Sequence, residues 1–272
     1  MEKLNLKRYG LPSAQSFDPV AFAKMKAESY NKTQGDLTGI DCPKCQNRGN
    51  IAVPKDDGNI SFGECGCMKA RRSVWKMEKS GLKNVIKEMT FERFQAAEDW
   101  QKQIKQGAMN YADSLDGWML FCGQVGGGKS HLCTAVCRQR LLAGDEVYYM
   151  PWRDDIARLK ALGLDNEQRE KMISEMKTAQ ILYIDDLFKT GRAADNSVQR
   201  PTSADINVAF EIINYRYVNR LSTIISTEST PQELIGIDEA TASRIIEMAK
   251  GHTFQISRNA NRNYRLRDVV AV

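Results

Sequence analysis

Two runs of residues in this chain have the types and spacing for phosphate chemistry. Gly123-Gln-Val-Gly-Gly-Gly128-Lys129-Ser130 has the pattern Gly-x4-Gly-Lys-Ser, set between an apolar run at 117–122 and a helical pattern at 131–142. The glycines let successive backbone N–H groups point inward around a phosphate, and a helix N-terminus adds partial positive charge. Lys129 can reach β- and γ-phosphates, and the Ser130 hydroxyl can ligand Mg²⁺. Gly123, Gln124, Val125, Gly126, Gly127, Gly128, Lys129, Ser130 and His131 are therefore the candidate nucleotide contacts. The bland alternative is a glycine-rich turn with a chance lysine.

The second run, Ile181-Leu-Tyr-Ile-Asp185-Asp186, reads as a buried parallel strand ending in two carboxylates. Ligands in α/β folds bind at the carboxyl ends of strands. Asp185 is placed to hold Mg²⁺, directly or through water, and Asp186 to take the proton of an attacking water. Adjacent carboxylates at a strand end can equally be a helix cap or turn. A further strand, Thr223–Ser226, leads into Thr227 and Glu228, where a γ-phosphate sensor is expected.

A different chemistry is written in the cysteines. Seven are present, four of them as Cys42-Pro-Lys-Cys45 and Cys65-Gly-Cys67, with nineteen residues between the pairs. Zn²⁺ takes four soft ligands in a tetrahedron, and each short turn offers two thiolates on one side. Ile51, Val53, Ile60 and Phe62 flank a glycine-rich polar turn between the pairs, so the segment reads as a hairpin carrying a zinc knuckle. Four thiolates leave no open coordination position, so the metal would be structural, worth on the order of 10–16 kcal/mol by analogy with zinc-finger peptides. A redox pair or unlinked buried thiols are the alternatives. Cys122, Cys133 and Cys137 read as small apolar core residues.

These residues need a scaffold. A strand at 145–150 and a helical region at 151–178 lie between the two phosphate motifs. One extra strand between the motifs is the arrangement of additional-strand NTPases, which simple kinases and GTPases usually lack. Thr202-Ser-Ala-Asp205 resembles a capping box opening a helix with Ile206, Ala209, Phe210, Ile213 and Tyr217 on one stripe. Thr230-Pro-Gln-Glu233 starts another helix, 238–250 a third, and the last strand is Thr253–Ile256. The expected fold is α/β: a parallel five-stranded sheet flanked by helices, with a small N-terminal zinc-knuckle domain. Residues 1–72 form the N-terminal domain, 73–88 the linker around Ser80-Gly81, and 89–272 the nucleotide-binding domain.

Composition agrees with this reading. The chain has 272 residues, 42% apolar and 27% charged, with a formal net charge of +5. That excludes wholesale disorder, and the apolar runs are too short to span a bilayer. The start lacks the apolar core of a signal peptide, and an odd cysteine count argues for a reducing, cytoplasmic setting. The mild positive charge permits nucleic-acid binding without arguing for it.

Together the cysteine knuckle, Thr90-Phe-Glu-Arg-Phe94, the phosphate loop, Ile184-Asp-Asp-Leu-Phe-Lys189, Ile212-Ile-Asn-Tyr-Arg-Tyr217, Ser243-Arg-Ile245 and Asn263-Tyr-Arg-Leu266 resemble the DnaC/DnaI-type helicase loaders. This is the phage and prophage branch of the AAA+ proteins that also contains IstB-like proteins. The resemblance implies an N-terminal domain that binds a DnaB-type hexameric helicase. It implies an AAA+ domain that binds Mg-ATP and single-stranded DNA, self-assembles, and hydrolyses ATP slowly. It further implies that Arg244 reaches a neighbour's ATP site as an arginine finger, against the alternative of a surface arginine in a local salt bridge. Many AAA+ proteins carry Asn where this chain has Glu228. A carboxylate there repels a γ-phosphate unless it orients water or pairs with a cation, so either Thr227 is the polar sensor or Glu228 works indirectly. The stretch after the last strand leaves no room for a helical lid, so a lid arginine is absent or replaced from the tail.

Single-strand binding calls for a basic groove with aromatic platforms. Lys69, Arg71, Arg72, Trp75 and Lys76 form one candidate group, and Arg258, Arg262, Tyr264, Arg265 and Arg267 a second. Arg153, Arg158 and Lys160 form a third. Two competing functions share the core: an IstB-like transposition regulator, which typically lacks zinc ligands, and a nucleotide-switched helicase adaptor with little turnover.

Overall fold

The structure is a computed structural model describing residues 18–77, 85–163, 165–191 and 199–266; the side chains of 76, 77 and 260 are not described. Ser80, Gly81 and Arg267 lie outside the described residues, and Lys76 is described only in its backbone. The chain divides into two compact units, 1–71 and 72–272.

In the first unit, helix α1 (Pro19–Lys32) starts at Asp18, whose side chain accepts from the N–H groups of Val20 and Ala21, with Pro19 at the first turn. Strands β1 (Asn50–Pro54) and β2 (Ile60–Glu64) pair antiparallel, Ala52 opposite Phe62. Asn31 of α1 clamps β1 by exchanging two 2.9 Å hydrogen bonds with the Ala52 backbone. The expected hairpin is present. Ala52 is buried, while Val53 and Phe62 are 49% and 59% exposed.

The second unit is a three-layer α/β/α domain. Its sheet has strands β3 (Met119–Gly123), β4 (Val147–Pro151), β5 (Ile181–Asp185), β6 (Ser222–Ser226) and β7 (Thr253–Ile256). They run parallel in the order β4-β5-β6-β3-β7. All five strands expected from the sequence are therefore present. The strand at 145–150 separates the two motifs along the chain, but in the sheet β4 sits at the edge outside β5. The strand lying between the two motif strands is β6.

Alternate residues of the strands feed two separate cores, as period-2 geometry requires. Met119, Phe121, Ile181, Tyr183 and Ile224 pack with Leu132, Cys133, Val136 and Cys137 of helix α5 (Lys129–Leu142). Trp118, Leu120, Leu182, Ile184 and Ile225 pack on the other face with helix α8 (Ser203–Val218) and its neighbours. Between β3 and β5 in sequence, the chain also supplies α6 (Trp152–Ala161) and α7 (Asn166–Thr178), two helices where one helical region was expected.

Helix α8 opens on the expected reciprocal cap between Thr202 and Asp205, worth about 1 kcal/mol. Its buried stripe is rotated from the expected one, running through Val208, Ala209, Ile212, Ile213 and Arg216, while Phe210 is 36% exposed. The reason is Arg216, fully buried. Its guanidinium donates to the carbonyls of Met176, Lys177 and Ala179 at 2.8–3.1 Å, to Ser222 O and to Thr223 Oγ1. An arginine satisfied by carbonyls can be buried as a core residue.

Before β3 come the short helix α3 (Val85–Glu88) and helix α4 (Asp99–Ser114); Phe91 and Phe94 between them are buried against the α5 face. Helices α9 (Pro231–Ile237) and α10 (Glu239–Met248) connect β6 to β7.

Candidate functional site

Because β3, β5 and β6 are parallel neighbours, their carboxyl ends open at one edge of the sheet. The phosphate loop leaves β3 there and enters α5, with Gly128 at φ 91° as the N-cap residue. The loop is held tightly from both sides. A Cβ on Gly126 would lie 2.0 Å from Asn263 Oδ1, and one on Gly128 would lie 2.6 Å from the Phe94 ring. Only glycine lets the backbone pass so close.

The Lys129 ammonium donates to Gly123 O at 2.9 Å and Gln124 O at 2.8 Å. Burial lowers its pKa, with the Asp186 and Glu228 carboxylates working the other way. Ser130 Oγ donates to Asp185 Oδ1 at 2.9 Å, so the serine and carboxylate expected to share Mg²⁺ are brought together. Both present oxygen, the donor that Mg²⁺ prefers, so the pair fits that ion.

Asp185 is also gripped by residues that sequence reasoning passed over. Tyr183 OH donates to Oδ1 at 2.7 Å, Ser226 Oγ to Oδ1 at 2.5 Å and Tyr149 OH to Oδ2 at 3.0 Å. Tyr183 was legible only as an apolar strand residue. Its position two before Asp185, on the same face of β5, is the signal that could have found it.

Asp186 adopts φ 58° and Phe188 φ 61°, both left-handed. The two residues turn the chain back at the end of β5, and Asp186 N donates to Ser226 Oγ. Burial raises the Asp186 pKa, and the Lys189 ammonium at 2.7 Å works against that rise. Lys189 also pairs with Glu228 Oε1 at 2.8 Å. The cation that Glu228 needs is therefore present, supplied by a residue not singled out from sequence.

Of the two sensor candidates, Thr227 is fully buried, and its hydroxyl donates to Leu187 O. Glu228 instead lines a cleft of about 320 Å³ with Gly126–His131, Asp186 and Lys189.

The same cleft is lined by Met89, Phe94, Trp100, Arg262, Tyr264 and Arg265. Tyr264 N donates to Gly126 O, and Tyr264 OH to Gln95. Arg262 lies over the Trp100 ring at 5.0 Å. Three tail residues considered for DNA thus line the phosphate-loop cleft. Arg258 instead forks onto Glu233. His131 lines the cleft but directs Nε2 to Thr90 O at 2.8 Å.

Arg244 is not part of this cleft lining. Its guanidinium donates to Asn214 Oδ1 and Ala240 O and lies over the rings of Phe210 and Tyr217. No ion pair of Arg244 occurs among the described residues. Of the other DNA candidates, Arg71 donates to Thr38 O, Ile40 O and Asn47 Oδ1 and braces the cysteine knuckle. Arg158 and Lys160 pair with Asp155 and Asp205, whereas Arg153 is exposed.

In the first unit, the sulfurs of Cys42, Cys45, Cys65 and Cys67 lie within 4.8 Å of one another. Cys42 and Cys65 are 3.8 Å apart, and Cys45 and Cys67 3.6 Å. A tetrahedral Zn–S₄ centre with 2.3 Å bonds spaces its sulfurs by about 3.8 Å, so the cluster fits that metal. Cys45 is drawn down to about 7: burial opposes the thiolate, but the Gly49 N–H and the neighbouring thiols outweigh it. Burial pushes Cys67 up to about 12. Cys122, Cys133 and Cys137 are fully buried core residues, as expected. Among the described residues no helix is long and apolar enough to cross a membrane.

Known proteins fit this picture. The chain is 29% identical over 247 residues to the phage-like element PBSX protein XkdC of Bacillus subtilis (strain 168), covering 87% of this chain and 90% of that protein. It is 23% identical over 192 residues to the replicative helicase loader DnaC of Escherichia coli (strain K12), covering 68% and 74%. The crystal structure of the DnaC helicase loader superposes with a TM-score of 0.51 at 22% identity, over 62% of this chain and 96% of that one, a likeness of fold. The IstB-like ATP binding protein family matches residues 64–269. With its phosphate loop, its five-stranded sheet and its phage-element and DnaC relatives, the chain belongs to the IstB-like ATP-binding family, in its phage-type, DnaC-like branch.

Proposed function

We propose that this protein is an ATPase that loads a DnaB-type hexameric replicative helicase onto single-stranded DNA in the cytoplasm. The observation that carries the reading is the Ser130–Asp185 hydrogen bond beneath the phosphate loop, in a chain whose relatives include helicase loaders.

In this reading, residues 89–272 bind ATP. Lys129 exchanges the carbonyls of Gly123 and Gln124 for the β- and γ-phosphates. Ser130 and Asp185 would hold Mg²⁺, which would supply positive charge for the phosphate oxygens. Asp186 accepts a proton from the attacking water as its oxygen bonds to the γ-phosphorus and the bond to the bridging oxygen breaks. Arg244, outside the lining of its own cleft, acts on the site of a neighbouring copy in the assembly.

Residues 1–72, held by a Cys42–Cys45–Cys65–Cys67 zinc centre, bind the helicase, and 73–88 join the two parts. The tail arginines at the cleft serve the nucleotide, and exposed basic residues outside it, Arg153 of α6 and Lys69 among them, meet single-stranded DNA.

The test is ATP turnover by the full chain, alone and with single-stranded DNA and a DnaB-type helicase. Slow turnover that rises with DNA or helicase supports the reading. ATP turnover indifferent to both, with no helicase bound, defeats it.

A further inference from the structure

We propose that Lys189 is the residue that reads the γ-phosphate, and that Glu228 serves by aiming it. This rests on the reading of the cleft as a Mg-ATP site.

The geometry is specific. The left-handed turns at Asp186 and Phe188 fold the chain back so that Lys189 N donates to Asp186 O. The Phe188 side chain is buried and meets Trp152 edge to face at 5.4 Å, which anchors the turn. Lys189 therefore stands at a fixed place in the lining of the cleft that Gly126–Ser130 also line.

Its ammonium touches Asp186 Oδ2 at 2.7 Å and Glu228 Oε1 at 2.8 Å. An ammonium carries three N–H donors, and two carboxylates occupy two of them. The third remains for a phosphate oxygen. The charge argument points the same way. Asp186 and Glu228 would present two negative charges to a terminal phosphate, and Lys189 is the cation bound to both.

ADP lacks the oxygens this amine would meet. A γ-phosphate arriving in the cleft draws Lys189 toward itself, and the carboxylate of Asp186 is released to take the proton of water. The Glu228 carboxylate keeps hold of the amine, which is how an acidic residue fills a position where a neutral amide would contact phosphate directly.

The experiment is calorimetric titration of the full chain with Mg²⁺ and either ADP or a non-hydrolysable ATP analogue. In Lys189→Met the affinity for the ATP analogue falls about tenfold more than that for ADP, as expected for the loss of one charged hydrogen bond. Lys189→Arg keeps most of the preference. Glu228→Ala shows the same selective loss, smaller, and carries the test if Lys189→Met does not fold. An unchanged ATP-to-ADP ratio in Lys189→Met, or in Glu228→Ala where only that variant folds, overturns the proposal while leaving the nucleotide site standing. If the unmodified protein binds neither nucleotide, the site reading fails and the proposal with it.

Discussion

Ser130 Oγ and Asp185 Oδ1 lie 2.9 Å apart although 55 positions separate them in the chain. The contact exists because β6 sets β3 and β5 one strand apart with their carboxyl ends level. It predicts that Ser130→Ala and Asp185→Asn each weaken nucleotide binding about tenfold or more in the presence of Mg²⁺ and change it little in chelator. Tyr183→Phe, which removes one hydroxyl from Asp185, should raise the Mg²⁺ concentration needed for half-maximal binding. Fluorescent-nucleotide titrations at graded Mg²⁺ check all three; equal losses with and without the ion would contradict the Mg²⁺ role.

Binding and turnover should separate between Lys129 and Asp186. Lys129→Ala is expected to lose ATP binding. Asp186→Asn should bind ATP yet hydrolyse it about 100-fold more slowly or worse, the usual worth of a positioned base. Normal hydrolysis by Asp186→Asn would remove it from that role. Arg244→Ala mixed with Lys129→Ala should regain turnover that neither has alone, because the first supplies intact cleft residues and the second the arginine. If mixing restores nothing, Arg244 does not act between copies.

Removing the metal should act on one unit only. The knuckle cysteines belong to residues 1–71 and the phosphate loop to 72–272. Cys42→Ser, or a strong zinc chelator, is expected to unfold the first unit and abolish helicase binding while ATP affinity stays within about twofold. Zinc content by elemental analysis and ATP affinity by calorimetry decide it. Protein that is zinc-free and still binds helicase would refute a structural metal.

Asp155 gives a pH signature. Its carboxyl is 3% exposed, and burial raises its pKa to about 6, with Arg158 at 3.4 Å only partly offsetting this. A carboxyl with a raised folded-state pKa favours the fold while protonated, and that contribution is lost as pH climbs through the folded value. Asp155→Asn should therefore gain stability relative to the parent between pH 4 and pH 7, by about 2–3 kcal/mol at most. Urea unfolding at several pH values reads this directly, and a flat difference would contradict it.

What the sequence made legible was local. The phosphate loop is contiguous, and the Asp185 strand announces itself as four apolar residues before a carboxylate. The knuckle shows its ligand spacing. What it hid depends on pairing between distant strands. Arg262, Tyr264 and Arg265 look like a basic aromatic patch for DNA, but β7 pairs beside β3, so the chain after it returns over the phosphate loop. Tyr149 and Tyr183 read as apolar because a strand pattern reports a ring's burial and not its hydroxyl. Lys189 was hidden by two left-handed residues, which no periodicity reveals. Arg216 hid the phase of α8, since an arginine in a helix reads as surface until the carbonyls that satisfy it are seen.

The most direct measurement is native mass spectrometry of the full chain mixed with a DnaB-type helicase, first with ATP and then with ADP. The account predicts several zinc-bearing copies on each helicase hexamer with ATP, and their release with ADP. No complex in either state, from protein that carries both zinc and ATP, would contradict it.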